Sequence, residues 1–121
     1  MAGVRVLYVE NCSVTRERIQ QLLESWGANV VAFDTLDAAK VAHAAGGFDV
    51  TITSGTLQDT EDGWIWASDL RAAGAKVAVM STGGRPWMYE EVPHINEDDH
   101  FRAVRRHLAE FLGIEQPTPT Q

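Results

Sequence analysis

Short β-rich apolar runs alternate with segments of helical period along nearly the whole chain, and this alternation restricts the fold more than any other feature. The first run, Val4 to Val9, is almost continuously hydrophobic, as a strand covered on both faces must be. The period then changes: Val14, Ile19, Leu22, Leu23 and Trp26 share one broad helical face, with Ser13 placed to cap the helix and Gly27 to end it. Asn29 to Phe33 reads as a second strand, Leu36 to Ala45 as an Ala-rich helix closed by Gly46-Gly47, and Phe48 to Thr53 as a third strand. After a loop around Gln58 to Asp62, the pattern predicts a helix over Trp64 to Ala73 and a strand over Lys76 to Ser81. Trp64 and Trp66 flank Ile65 and cannot share a helical face, so one is expected in the core and the other partly exposed. Phe101, Val104, Leu108, Phe111 and Leu112 form the stripe of a last helix. Asn96 is its candidate cap, with Glu97, Asp98 and Asp99 in the first turn.

Successive βα units imply an α/β fold with a doubly wound parallel sheet, whose ligand site lies beyond the carboxyl ends of the strands. Three junctions are singled out: Glu10-Asn11 after the first strand, Ser54 after the third, and Ser81-Thr82 after the fourth. One domain is expected over residues 1–114, with the Pro/Thr/Gln segment 115–121 as a solvated tail.

At 121 residues the chain can bury one core without disulfides or metals. No stretch approaches the roughly 20 apolar residues of a membrane span, and the single cysteine, Cys12, cannot form an internal disulfide. A cytoplasmic setting without direct membrane insertion is expected. A net charge of -7 disfavours nucleic acid as a partner, and nothing in the sequence sets an oligomeric state.

The run Leu7-Tyr8-Val9-Glu10-Asn11-Cys12-Ser13-Val14-Thr15-Arg16-Glu17, followed by Leu22-Leu23 and Trp26-Gly27, resembles the opening of receivers from hybrid histidine kinases. The resemblance continues through Phe48 to Ser54, Asp62-Gly63, Val77 to Thr82 and the last helix. It implies a five-stranded, CheY-like fold and a bacterial two-component pathway, with a histidine kinase or other signalling protein of that pathway as partner. It also implies a set of chemical positions, each of which can be compared with this chain. The acidic pair that holds Mg²⁺ corresponds to Glu10 and Asn11, the phosphoryl-accepting aspartate to Ser54, the switch hydroxyl to Ser81, and the lysine near the fifth strand to His94.

Mg²⁺ relies on carboxylates to offset partial dehydration, and Glu10 alone replaces that cluster poorly. Ser54 lacks the carboxylate that forms an acyl phosphate, so aspartyl phosphorylation at that position is chemically excluded. The chain is therefore expected to be a degenerate, noncatalytic receiver with no metal and no cofactor. Two rival functions stand beside it: phosphorylation at a displaced carboxylate, Asp59, and an anion or small-ligand sensor using Ser54, Ser81 and Arg85.

Only Thr82 to Pro93 separate the fourth-strand hydroxyl from His94, too few for a full helix and a strand. The fourth helix is expected to be absent or reduced to a turn, with Trp87 to Val92 as a short edge strand. Trp87, Met88 and Tyr89 then either cover the core where the helix is missing, as large apolar side chains usually do, or form an interaction surface.

Overall fold

A computed structural model describes residues 3–55, 62–82, 86–97 and 100–114. The expected alternation is present: β1 (Arg5–Val9), α1 (Ser13–Ser25), β2 (Asn29–Phe33), α2 (Leu36–Ala45), β3 (Val50–Ser54), α3 (Asp62–Ala72), β4 (Val77–Ser81), a 3-10 turn (Trp87–Tyr89), β5 (His94–Asn96) and α4 (Phe101–Leu112). The five strands are parallel in the order β2-β1-β3-β4-β5, the α/β arrangement expected from the sequence. The order reverses between β1 and β3, which opens a crevice at their carboxyl ends.

Strand alternation divides the core into two layers. Val6 and Tyr8 point to one side of the sheet, where Ile52, Met80 and Ile95 meet Ile19 and Leu23 of α1 and Val104 and Leu108 of α4. Leu7 and Val9 point to the other, where Val79 and Val92 meet Leu36 of α2 and Trp64 and Ala67 of α3. β3 and β4 are buried along their whole length, which accounts for their unbroken apolar and β-branched composition. Among the described residues no helix is long and apolar enough to cross a membrane.

Four local expectations need correction. Helix α1 is preceded by Cys12 rather than capped by Ser13, and Cys12 makes no side-chain capping bond. Asn96 does not cap the last helix; it pairs with Ser81 in the β4/β5 ladder, and α4 starts after His100. Trp64 and Trp66 are both buried, because the second rests edge-on against His43 of α2 while the first lies towards β5. The segment Trp87–Val92 is not a strand. Pro86, with φ fixed near the helical value, opens a 3-10 turn in which the Tyr89 N–H donates to the Pro86 carbonyl at 2.9 Å, and the Val92 N–H donates to the Tyr89 carbonyl at 3.0 Å. The edge strand is delayed to His94–Asn96, and among the described residues the β4-to-β5 connection holds this single turn and no α-helix, as expected.

Candidate functional site

The carboxyl ends of β1, β3 and β4 and the residue following β5 enclose a cavity of about 180 Å³, lined by Glu10, Asn11, Ser54, Ser81, Thr82 and Glu97 among others. Three of the junctions singled out in the sequence thus meet in one place. Each side chain is held by its strand end. The Glu10 N–H continues the ladder to the Phe33 carbonyl at 3.0 Å, its own carbonyl accepts from Arg16 at 2.8 Å, and its carboxylate accepts from the Cys12 N–H at 3.3 Å. Ser54 is buried, and its hydroxyl donates to the Val9 carbonyl at 3.2 Å. That bond turns Ser54 towards β1 and occupies the one proton it has to give.

Ser81 lies on the α3 side of the sheet, its Oγ 2.8 Å from Nε2 of His94. The His94 ring packs on Trp64 with centroids 5.3 Å apart, and Trp64 in turn stacks on Tyr89 at 5.7 Å. The imidazole is therefore engaged with Ser81 and the α3 layer. His94 opens β5 opposite Val79, whereas the cavity lies at the other end of the strand. Composition places the fifth strand before His94; with the strand at His94–Asn96, the residue reaching the cavity from β5 is Glu97. The Glu97 N–H donates to the Ser81 carbonyl at 2.9 Å, which fixes its backbone at the strand end. Sequence periodicity misses Glu97 because Glu97, Asp98 and Asp99 suit a helical first turn equally well. Asp59 and Arg85, named in the two rival readings, lie outside the described residues, as does the tail 115–121.

Glu10 and Glu97 make the site electronegative, and Tyr8 registers it. Its hydroxyl is fully buried and has no hydrogen-bond partner among the described residues. Burial, reinforced by the negative fields of Glu10 and Glu97, holds the phenol far above its ordinary range. A folded-state pKa raised above the unfolded value means that this contribution to stability is complete below about pH 10 and is lost as pH rises further. Unfolding free energy is expected to fall above about pH 10 with a slope approaching ~1.4 kcal/mol per pH unit. Denaturant titrations of Tyr8→Phe should show that part of the slope removed, and at neutral pH a variant at least as stable as the parent, since an orphaned buried hydroxyl costs about 1 kcal/mol or more. An unchanged alkaline slope would show that Tyr8 does not titrate on unfolding.

A magnesium ion in this cavity would meet two carboxylates, Glu10 from β1 and Glu97 from the end of β5, one amide (Asn11) and a serine hydroxyl that already donates to a carbonyl. Asn11 and Ser54 contribute only neutral oxygens, which offset the partial dehydration of Mg²⁺ less than carboxylates do. Among the described residues no three His, Cys, Asp or Glu side chains form a metal-holding group.

No protein-family model and no curated protein sequence matches the chain. Solved structures do. The BeF3-activated conformation of SdrG from Pseudomonas melonis Fr1 is 22% identical with a TM-score of 0.72, over 92% of this chain and 98% of that one. A CheY-like response regulator receiver domain from Methylobacillus flagellatus is 20% identical with a TM-score of 0.72, over 89% and 98%. The chemotaxis protein CheY4 of Vibrio cholerae is 16% identical with a TM-score of 0.74, over 93% and 98%. The chain has the CheY-like receiver fold. Among the described residues the β4-to-β5 connection is the crossover that carries no α-helix. Trp87 is 82% exposed and Met88 54%, so neither covers the core; Tyr89, stacked on Trp64, and the buried Val92 do so instead.

Proposed function

We propose that this domain is a receiver that no longer accepts a phosphoryl group and that acts in two-component signalling by protein contact, with a histidine kinase or another protein of such a pathway as its partner. The observation that carries this reading is Ser54: at the carboxyl end of β3 stands a buried hydroxyl bonded to the Val9 carbonyl. A phosphoserine there would need a base to take the hydroxyl proton, and the nearby imidazole, His94, is bonded to Ser81 instead. A site that stabilises a transferring phosphoryl group places cations around its oxygens, and the described lining of this cavity holds no Lys or Arg. Two carboxylates without a described cation also argue against an anion sensor. Glu10, Asn11, Ser54 and Ser81 are in this view remnants of a phosphorylation site, and Trp87, Met88 and Tyr89 are the interaction surface. A cytoplasmic location, including the cytoplasmic part of a sensor kinase, accords with the reading.

The test is an amide NMR titration with Mg²⁺ and beryllofluoride. The expected result is silence at Glu10, Asn11, Ser54 and Ser81 at millimolar ligand, together with no Mg²⁺-dependent mass shift after exposure to acetyl phosphate. Coherent shifts converging on those residues would overturn the proposal, as would an acid-stable, base-labile phosphate located at Asp59.

A further inference from the structure

Charge is distributed unevenly over this acidic chain. Of its 10 Lys and Arg residues, Arg102, Arg105 and Arg106 stand together on the first half of α4, exposed and spaced three and four residues apart, so that they share one face. Helix stability does not call for them there. The dipole favours acidic groups in the first turn and basic ones in the last, and α4 has neither. Nor do neighbouring side chains neutralise them. Arg106 meets Glu110 only at 4.0 Å, with both side chains largely exposed, which holds little. Among the described residues Arg102 and Arg105 form no salt bridge.

A further cation joins them from α1. The guanidinium of Arg18 lies over the Phe101 ring, 3.8 Å from its centroid, and it too forms no salt bridge among the described residues. Arg105 stands one turn beyond Phe101 on the same helix. An aromatic ring beneath a guanidinium orients its plane and leaves its N–H fork open, the arrangement that receives a carboxylate through two parallel bonds. Beside this pair a groove of about 310 Å³ runs between α1 and α4. Val14, Ile19, Phe101 and Val104 line its sides, Met80 of β4 its floor, and Glu97 the end that it shares with the acidic cavity. Val14 is 74% exposed, an apolar side chain that folding leaves in solvent.

Apolar walls flanked by guanidiniums match an amphipathic segment whose polar side is acidic. A nucleic-acid backbone matches them less well, because Glu97 repels phosphate within the groove and the net charge of -7 opposes its approach. A symmetric contact with a second copy would set this basic face against itself. We infer that the groove between α1 and α4 receives an acidic amphipathic helix of a partner protein, its apolar side chains on Ile19, Phe101 and Val104 and its carboxylates on Arg18 and Arg105. Arg102 extends the positive field along the same face. The inference goes beyond the proposed function: it adds a contact surface on the α1/α4 side of the sheet, whereas Tyr89 and its turn lie on the α3 side, and it does not depend on the chemistry of Ser54.

The test uses the full chain, ¹⁵N-labelled, with an amphipathic Leu/Glu peptide of about five helical turns as probe and a Leu/Lys peptide of the same pattern as its counterpart. The Leu/Glu peptide is expected to shift the amides of Thr15, Arg18, Phe101 and Arg105, and the Leu/Lys peptide to leave them in place. Arg18→Glu and Arg105→Glu, both at exposed positions, should each weaken binding at least about tenfold with the far-UV spectrum preserved. Arg18→Lys, which keeps the charge and loses the planar fork, should fall between the parent and Arg18→Glu. Lys40→Glu makes the same change of charge at an exposed position on α2 and should leave the affinity as it was. Equal responses to both peptides, equal weakening by Lys40→Glu and Arg105→Glu, or shifts centred away from α1 and α4 would each overturn the inference. Tighter binding of an oligo-dT strand of comparable length would overturn it too, by making the face a reader of phosphate. The Mg²⁺ and beryllofluoride titration on the same sample tests the noncatalytic reading separately: a response there leaves the α1/α4 contact standing, and silence with the Leu/Glu peptide removes that contact alone.

Discussion

Gly63→Ala is expected to lower the unfolding free energy by roughly 3 kcal/mol, the upper part of the range for overpacking, and the melting temperature by on the order of 10 °C. Gly63 lies in the first turn of α3, where the helix meets the end of β3. A Cβ there would collide with the Ser54 carbonyl oxygen and approach the Gly55 carbonyl oxygen to 2.8 Å. Both are backbone atoms of the strand that carries the central site residue and its continuation, so no rotamer change relieves the overlap. The control is Gly74→Ala. Gly74 has φ +91, and a Cβ added to it would meet nothing within 4 Å, so the substitution costs only the backbone strain of a left-handed residue, about 1 to 2 kcal/mol. Thermal melts of the two variants should therefore rank Gly63→Ala as the more damaging, with amide shifts at Ser54 in that variant alone. Equal melts would mean that α3 shifts freely on β3, against the close approach of the two backbones at Gly63.

Trp64→Ala carries the other large effect, a loss of about 3 to 5 kcal/mol. Trp64 is 2% exposed and stands between two regions: His94, bonded to Ser81 at the cavity, packs on one part of the indole, and Tyr89, in the 3-10 turn, stacks on it. Trp66→Ala also removes a buried indole, but one facing His43 on α2. Comparison of the two variants by chemical denaturation and amide shifts isolates the position of Trp64. Both should be destabilised, and only Trp64→Ala should move the signals of Ser81, His94, Met88 and Tyr89 together. If Trp66→Ala moved them equally, the effect would be general loosening of the α2/α3 layer.

These expectations rest on features of unequal legibility in the sequence. Strand and helix are readable because β3 and β4, covered on both faces, need unbroken apolar or β-branched runs, while the helices need a stripe of 3.6-residue period. The weak points are short segments in which local preference supports two outcomes. Glu97 follows a potential cap and precedes an amphipathic helix, so its acidity suits a helical first turn; the pairing of Asn96 with Ser81 assigns it instead to the end of a strand. Trp87 to Val92 has the β-rich and aromatic composition of an edge strand, but Pro86 and the hydrogen bond back from Tyr89 wind it into a turn.

Residue identity and order alone establish the succession of elements and the α/β class, and they place at position 54 a serine, which cannot form an acyl phosphate wherever it points. Which groups share the site, and which face solvent, is settled only by the packing of distant segments. The register of the three-residue strand β5 directs Glu97 to the cavity and leaves His94 on Ser81, and the packing of Tyr89 on Trp64 releases Trp87 and Met88 to the surface. Both outcomes have one cause. Periodicity reports the face on which a residue lies within its own element, but the neighbours of an edge strand and of a single turn are set by hydrogen bonds and contacts to residues distant in the chain, which leave no local pattern.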